Sequence, residues 1–424
     1  MSKGIILLPL SKGLSPTPHP LTLPFFEIRY IFNATTSLNM NKKSNRRSFF
    51  RSSLGALTGM ALVKSGTANP IPSTLNQPEF YINHKLKETI RFSAIGLNHG
   101  HIYGQTNALL RAGGELVSFY TKETDLAEAF LKRFPQARLA RSEDEILEDQ
   151  NIKLVLSASI PLERAPLGIR VMEHGKDFMA DKPGIITLEQ LAEVKKVQKK
   201  TGRIYSIMYS ERFENRATVK AGELVQAGAI GQVVQTIGLG PHRMNIASRP
   251  PWFFDKKYYG GIICDIGSHQ CDQFLYFTGS TKAEIVSSQV GNVHYTRYPE
   301  FEDFGDMTVR GNKGTGYIRV DWFTPDGLAT WGDGRLTILG TEGYIDIRKN
   351  IDIGGKPGGS HLFLVDKKQT QYVDCSKVEL PYGAQLIQDV LQRTETAMSQ
   401  EHCFLATEIA LRAQKEAGKL VIEQ

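Results

Sequence analysis

The chain has 424 residues, of which 41% are hydrophobic and 22% are charged, a composition typical of about two folded domains and not of collagen or disordered chains. No apolar run reaches the roughly 18 residues that a membrane-spanning helix needs. The net charge of +7 arises at the N-terminus, where residues 1–69 hold nine Lys and Arg against Glu27 alone, so residues 70–424 sum to −1. That near-neutral part has little electrostatic attraction for the phosphates of nucleic acid.

An N-terminal leader is predicted over residues 1–69. The paired Arg46 and Arg47 precede Ser-Phe-Phe-Arg, a short apolar run and small residues typical of a cleavage site. The pattern resembles a twin-arginine export signal, which implies transport of an already folded protein to the periplasm. Because such a signal normally starts close to its arginines, Met40 is the predicted start of translation. An amphipathic helix or a general secretory signal is the alternative.

The first half of the remaining chain alternates strand-like and helix-like segments. A Pro-rich linker is predicted at 70–88, and a Rossmann-type dinucleotide-binding domain with a doubly wound parallel sheet at 89–206. Strands are predicted at 90–95, 115–120 and 153–157, and helices after the segment G-L-N-H-G-H-I-Y-G as far as residue 110, at 127–134 and at 165–174.

The second half consists mainly of strand-like segments joined by turns. Such segments predict a mainly antiparallel, large open sheet in an α+β domain at 207–424, so the fold class is α/β followed by α+β. Strands are predicted at 233–239, 284–293, 305–310, 316–322, 335–339 and 343–348, and helices at 265–277 and 406–420.

Four cysteines are too few for a disulfide framework in so long a chain, and they form no C-x-x-C pair that would indicate a zinc or redox site. We therefore predict free, buried thiols and no bound metal. The four are Cys264, Cys271, Cys375 and Cys403.

Gly96 follows the first predicted strand, where a dinucleotide-binding fold turns sharply so that a helix N-terminus faces the pyrophosphate. The turn reads G-L-N-H-G-H, with Asn98 at the usual second glycine and His101 at the third. Asn tolerates the left-handed conformation, so Gly96, Asn98, His99 and Gly100 are predicted to bind the cofactor phosphates. A Rossmann turn that binds no phosphate is the alternative.

The end of the second strand normally carries an acid that binds the adenine ribose, about 20 residues further along the chain. Thr121 stands there, followed by Lys122. A missing acid beside a cation favours the 2′-phosphate of NADP over NAD, although Lys122 is equally compatible with a solvated surface charge. Both residues are predicted to contact the cofactor.

The segment Asp181-Lys182-Pro183 ends a further strand-like run. A lysine before proline at the carboxyl edge of a parallel sheet is held in an extended turn and points toward the ligand crevice. A surface lysine in a turn is the alternative.

Asp265 and His269 are spaced i, i+4, so on a helix they share one face and can act as an acid/base pair. Gly260 and Gly261 precede them and would permit close approach of a ligand. The alternatives are a helix-capping Asp265, a core histidine at 269, or a metal site that includes Asp272.

Together these motifs resemble the glucose-fructose oxidoreductase and inositol dehydrogenase family (Gfo/Idh/MocA) along nearly all of residues 90–424. The family's usual motif is E-K-P. The D-K-P of this chain replaces Glu with Asp181 and keeps the negative charge and the lysine. The resemblance implies that Lys182 polarises the reacting hydroxyl of a sugar or polyol, that His269 is the general acid/base, and that Asp265 orients the substrate and His269.

The resemblance also implies cofactor contacts from Asp181, Lys182 and Ser159. Ser159 falls where the family has the threonine of a T-P-N motif, but Pro161 replaces the asparagine.

Sugar-binding side chains are predicted in the segment that follows the first strand of the second domain. Aromatic rings stack on pyranose faces, and clustered polar groups bond hydroxyls. The candidates are His242, Arg243, Arg249 and Trp252, with Glu211 and Arg212 upstream. Trp252 is equally compatible with a core position.

The chain is predicted to be an exported oxidoreductase that transfers hydride between a carbohydrate hydroxyl and tightly bound NAD or NADP, because the periplasm offers no dependable dinucleotide pool. One alternative is redox-neutral glycoside cleavage by oxidation, elimination and re-reduction. Another is a sugar-binding protein without activity, motivated by Asn98, His101, Thr121 and Pro161. The expected partners are a carbohydrate, the twin-arginine export machinery and a second copy, since the resemblance implies a homodimer or homotetramer built through the open sheet.

Overall fold

The computed structural model describes residues 88–422. The predicted leader with its twin arginines, the predicted start at Met40 and the predicted linker as far as residue 87 lie outside the described residues. No helix among the residues described is both long and apolar enough to cross a membrane.

The first domain is a six-stranded parallel sheet with order β3-β2-β1-β4-β5-β6. The strands are β1 (Arg91–Ile95), β2 (Glu115–Tyr120), β3 (Arg138–Leu139), β4 (Ile152–Ser157), β5 (Asp177–Asp181) and β6 (Tyr205–Met208). The connecting helices are α1 (His101–Arg111), α2 (Thr124–Arg133), α3 (Glu143–Glu148), α4 (Pro161–Glu173) and α5 (Leu188–Thr201).

The strand order reverses between β1 and β4, and this reversal opens a crevice at the carboxyl ends of the strands. The central strands are buried along most of their length because helices cover both faces of the sheet. The predicted Rossmann-type fold is therefore confirmed. Strand β6 extends to Met208, two residues past the predicted boundary at 206.

The second domain is a nine-stranded sheet with order β14-β13-β12-β11-β7-β10-β9-β8-β15. Its strands are β7 (Val233–Pro241), β8 (Ala283–Gly291), β9 (Phe304–Gly311), β10 (Thr315–Asp321), β11 (Arg335–Gly340), β12 (Gly343–Arg348), β13 (His361–Asp366), β14 (Thr370–Val373) and β15 (Gly418–Lys419). Its helices are α6 (Ser210–Phe213), α7 (Arg216–Gln226), α8 (Lys256–Tyr259), α9 (Ser268–Thr278), α10 (Tyr382–Gln392) and α11 (Gln400–Glu416).

This sheet is mixed, because β7 pairs with β10 and β8 with β15 in parallel while the other pairs are antiparallel. Strands β13 and β14 and helix α10 were not predicted, although α10 has buried apolar residues at helical spacing, among them Leu386, Ile387 and Val390. The predicted helix from residue 265 in fact begins with a π-helical turn, Ile263–Gly267, and continues as α9.

The two faces of the nine-stranded sheet differ. Helices α7, α9 and α11 cover one face, with Phe274 and Phe277 of α9 in the core. Alternate side chains point to the opposite face, which leaves several large apolar groups exposed. They include Val234, Ile237, Val286, Leu339 and Tyr344.

Candidate active site

The turn after β5 places Lys182 at the crevice. Lys182 is buried, and the peptide bond to Pro183 is cis. Arg164, buried in α4, holds this turn: its Nη1 donates to the carbonyl oxygen of Lys182 at 2.6 Å and its Nε donates to that of Ser159 at 2.7 Å. The lysine backbone is thus fixed to the neighbouring βα turn, and the side chain is free to reach the second domain.

Asp265 lies in the π-helical turn, and two side chains hold the start of this turn. Glu302 Oε2 accepts from the backbone N–H of Ile262 at 3.0 Å, and Gln414 Oε1 accepts from that of Ile263 at 2.9 Å. These bonds satisfy amide groups that have no partner within the first turn of a helix. A π-helical turn widens the backbone locally and is frequent at functional sites.

The glycines before this turn serve packing and not ligand approach. Gly260 and Gly261 have φ values of +88° and +95°, which disfavour any other residue. A Cβ on Gly260 would lie 2.7 Å from Ile186, and one on Gly261 would lie 2.3 Å from Gln414. The prediction that they open space for a ligand is wrong, because other side chains already occupy that space.

Lys182 and Asp265 form a buried ion pair, with Nζ 2.8 Å from Oδ1. Burial alone would raise the pKa of Asp265, but the ammonium of Lys182 holds it below its ordinary value. Asp265 is therefore a carboxylate at neutral pH, and Lys182 keeps two of its three N–H donors for another acceptor.

His269 is the second residue of α9 and is buried beside Tyr209, with ring centroids 6.2 Å apart. Burial lowers its pKa to about 3, so the ring is neutral at pH 7. Its Nδ1 has no hydrogen-bond partner among the described residues, and the structure shows no bond between it and Asp265. The ring is thus positioned by packing and presents an unused nitrogen.

A second buried ion pair lies next to His269 and was missed by the sequence analysis. Lys349, one residue beyond β12, is hydrogen-bonded to Glu211, which also accepts from Gln270 Nε2 at 2.9 Å. Burial would raise the pKa of Glu211, but Lys349 brings it to about 2. Lys349 carried no sequence signal because it follows a strand of ordinary alternation.

Asp181 is not exposed to the crevice. Its carboxylate is buried and contacts His101 Nδ1 at 2.9 Å, Arg164 Nη2 at 3.2 Å and His99 Nδ1 at 3.3 Å. Ligand atoms of Asp181, His99 and His101 lie within 4.8 Å of one another, as in a metal site, but the guanidinium already compensates the carboxylate. Burial, opposed by these partners, leaves the pKa of Asp181 well below its ordinary value.

A cavity of about 370 Å³ occupies the crevice beside the glycine turn. Its lining includes Gly96, Asn98, Thr121, Lys122 and Ser159, all predicted cofactor contacts. Gly96 has a φ of +78°, and a Cβ there would lie 2.5 Å from that of Ser159, so only glycine fits between the two βα turns. His99 and Gly100 are not in this lining; the backbone N–H of His99 instead donates to Ala158 O at 2.9 Å.

The cavity also contains an acid that the sequence analysis overlooked. Glu123 accepts from Asn98 Nδ2 at 2.8 Å and from the hydroxyl of Thr121. A carboxylate after β2 is the group that binds the adenine ribose of NAD. The cavity, the glycine turn and this acid fit a dinucleotide, with the adenosine end near Glu123. The acid was missed because it stands two residues beyond the expected position.

The matches to known proteins agree with this geometry. Residues 90–209 match the oxidoreductase family with an NAD-binding Rossmann fold, and residues 218–346 match the GFO/IDH/MocA C-terminal domain. A crystal structure of a protein named only as an oxidoreductase, from Erwinia carotovora atroseptica, has a TM-score of 0.76 and 47% identity, covering 78% of this chain and 100% of that one. The chain belongs to the Gfo/Idh/MocA family.

The names of some more distant relatives specify the substrates of those proteins. The scyllo-inositol 2-dehydrogenase (NAD(+)) of Bacillus subtilis is 25% identical over 315 residues, which cover 72% of this chain and 88% of the enzyme. The aldose-aldose oxidoreductase of Caulobacter crescentus has a TM-score of 0.63 at 18% identity, covering 78% of this chain and 98% of that one, which shows a shared fold. As a Gfo/Idh/MocA protein, the chain is an NAD(P)-dependent oxidoreductase of a family acting on CH–OH groups.

The predicted substrate residues of this Gfo/Idh/MocA protein separate into two groups. His242 and Arg249 lie within electrostatic reach of Asp265. Arg243 instead donates to the carbonyl oxygens of Pro325 at 2.9 Å and Leu328 at 2.5 Å, so its guanidinium anchors a loop. Trp252 is partly buried against Phe253 and the hydrophobic core.

Proposed function

We propose that this protein is an exported enzyme that oxidises or reduces a CH–OH carbon of a sugar or polyol, using a tightly bound NAD. The observation that carries the proposal is the meeting of Lys182, Asp265 and the neutral His269 at the crevice between the two domains. The kinship with scyllo-inositol 2-dehydrogenase supports a cyclic polyol or sugar as substrate.

The residues divide the work of proton transfer. The ammonium of Lys182, held by Asp265, donates to the substrate oxygen and stabilises the negative charge that develops on it. The imidazole of His269 takes the hydroxyl proton as the C–H hydride leaves, so one proton and one hydride are removed and a ketone forms. The nicotinamide supplies the hydride acceptor when the cofactor is bound. In the reverse direction the imidazolium returns the proton.

Glu123 supports NAD over NADP. Its carboxylate in the cavity would accept from the ribose hydroxyls of NAD and would repel the 2′-phosphate of NADP. The net effect of its partners, chiefly the hydrogen bond from Thr121, lowers the pKa of Glu123 against the opposing effect of burial, so it is ionised at neutral pH. The sequence favoured NADP because position 121 carries no acid. Glu123, two residues further on, provides a carboxylate in its place.

Export and assembly complete the proposal. The twin-arginine pattern in residues 1–69 supports transport of the folded protein with its cofactor already bound, since a dinucleotide lost in the periplasm could not be replaced. The exposed apolar side chains of the nine-stranded sheet, such as Ile237 and Leu339, support a homodimer or homotetramer that buries this face.

The decisive experiment starts with expression from Met40 and purification without added nucleotide. The protein is then denatured, and any released dinucleotide is identified and quantified by mass spectrometry. Stoichiometric NAD is the expected result. A protein that carries no dinucleotide and binds neither NAD nor NADP in calorimetry would overturn the proposal and favour a sugar-binding protein without activity.

A further inference from the structure

Arg249 is a cation beside the site that lacks an acidic partner. Its guanidinium carbon lies 4.5 Å from the ring centroid of Phe253 and 4.9 Å from that of Trp322. It takes part in no ion pair among residues 88–422, although the charge of Asp265 acts on it. Three buried cations near the reacting end are each paired with an acid: Lys182 with Asp265, Lys349 with Glu211, and Arg164 with Asp181.

Backbone carbonyl oxygens accept from only some of the N–H donors of this guanidinium. The Nε of Arg249 donates to Met244 O at 2.9 Å, and Nη2 donates to Arg243 O at 3.4 Å. A guanidinium has five N–H donors, so three remain available. Burial lowers the pKa of Arg249 against the opposing charge of Asp265, so its charge is held in a partly dehydrated place and is only partly compensated.

A second unused donor lies beside Arg249. Trp322 is buried, and its Nε1 has no acceptor among the described residues. A buried N–H without an acceptor costs free energy, and an acceptor from outside the chain would remove that cost. His242 lies against the Trp322 ring, with centroids 5.3 Å apart, and is influenced by the charges of both Lys182 and Asp265. His242 therefore connects the Trp322 ring with the charged groups at the reacting end of the site.

We propose that the substrate carries a carboxylate, which accepts from the Arg249 guanidinium and the Trp322 indole while its carbinol lies between Lys182 and His269. A carboxylate is planar, accepts only, and matches the fork of a guanidinium, here one that lies over the rings of Phe253 and Trp322. The inference rests on the proposed function and narrows its substrate class to acidic sugars, such as uronic or aldonic acids.

The test uses pairs of sugars that differ in this one group. Isothermal titration calorimetry measures the binding of glucuronate and glucose, galacturonate and galactose, and gluconate and sorbitol to the purified full chain. At least one acid should bind about 30-fold more tightly than its neutral partner, as expected for charge-assisted hydrogen bonds. Arg249→Gln should reduce that ratio to about threefold or less. Arg310→Gln, at an exposed pair with Glu284, is the matched control and should keep the ratio.

Trp322→Phe provides a second variant in case Arg249→Gln folds poorly. It keeps an aromatic ring over Arg249 and removes only the N–H, so the acid should lose about fivefold in affinity and the neutral sugar almost none. Equal binding within every pair, tighter binding of glucose 6-phosphate than of any acid, or an equal loss for both members in Arg249→Gln would overturn the inference.

The results that would contradict the proposed oxidoreductase function differ from those that would contradict the carboxylate site. Tight binding of an acid without any change in absorbance of the dinucleotide at 340 nm would leave the carboxylate site intact and remove the oxidoreductase reaction. Oxidation of neutral and acidic sugars at equal efficiency would keep the reaction and remove the carboxylate site.

Discussion

Lys182 Nζ donates to Asp265 Oδ1 across 2.8 Å, and this bond connects the end of β5 in the first domain to the π-helical turn of the second. Both side chains are largely enclosed by protein. Each charge is therefore compensated mainly by the other, and the reacting end of the site is also a link between the two domains.

Removing one partner of this pair should destabilise the protein more than removing both. We expect Lys182→Met to lower the free energy of unfolding by about 3–5 kcal/mol, because it leaves the carboxylate of Asp265 buried without a cation. The double variant Lys182→Met/Asp265→Leu should regain most of that stability and no activity. Urea unfolding followed by circular dichroism measures the difference, and a double variant less stable than the single one would contradict this expectation.

His269→Asn should abolish turnover and spare the cofactor. The substitution keeps a polar group of smaller size but removes the proton acceptor, so kcat should fall by about 10²–10⁴. Dinucleotide content, measured on denatured protein, should equal that of the wild type. His174→Asn, at an exposed position, is the control. Loss of the dinucleotide in His269→Asn would show that this residue holds the cofactor.

Stability should depend on pH through three histidines of the site. Burial lowers the pKa of His99 and of His242 to about 4 and that of His269 to about 3, against 6.5 for an ordinary histidine. The unfolded chain then binds more protons than the folded one below pH 6.5, so the stability present above that pH is lost as the pH falls toward these values. The free energy of unfolding should decrease between pH 7 and pH 5, and less steeply in His269→Asn. An unchanged slope in that variant would show that the pKa of His269 is not lowered by burial.

Glu123 should set the choice of dinucleotide. Glu123→Ser removes the charge that faces the 2′ position and leaves the neighbouring Lys122. We expect the affinity for NAD to fall about tenfold and that for NADP to rise, as measured by calorimetry on nucleotide-free protein. Glu128→Gln, on the exposed side of α2, should change neither. Equal losses for both dinucleotides would mean that Glu123 serves the structure of the turn alone.

Alanine substitutions at two glycines of similar backbone conformation should distinguish the cost of backbone strain from the cost of a side-chain collision. Gly113 has a φ of +92°, and a Cβ added there would have no atom within 4 Å, whereas Gly261 has a φ of +95° and a Cβ on it would lie 2.3 Å from Gln414. Gly113→Ala should cost about 1 kcal/mol of unfolding free energy, from backbone strain. Gly261→Ala should cost about 2–4 kcal/mol more, since the collision moves the turn that carries Asp265. Thermal unfolding of the two variants would measure this, and equal losses would rule out the collision.

Local sequence patterns were sufficient to predict those elements whose ends are marked by their own residues. The strand at 115–120 and that at 343–348 have the predicted bounds, because apolar and turn residues mark both ends. The motif around Lys182 was also recognisable, since a parallel sheet directs such a residue toward the crevice. The π-helical turn was not, because its hydrogen bonds come from Glu302 and Gln414, far along the chain.

The dependence on distant parts of the chain also limited the prediction of the site. Lys349 and Glu123 have no motif of their own, and their roles depend on which side chains the fold brings to them. Arg243 and Arg249 look equivalent in sequence, yet one anchors a loop and the other lies near Asp265. Residue type and spacing identified the chemistry, whereas the tertiary contacts decided which side chains take part.

The bond from Gln414 to the amide of Ile263 has a consequence for synthesis of the chain. Gln414 lies in α11, the last helix, and it stabilises the turn that carries Asp265. A nascent chain on the ribosome therefore cannot complete this turn until residue 414 has emerged, even though the Rossmann domain can fold much earlier. A product that ends before residue 414 would include the residues of the dinucleotide cavity but lack this support for Asp265, so catalytic competence should arise only after α11 has been made.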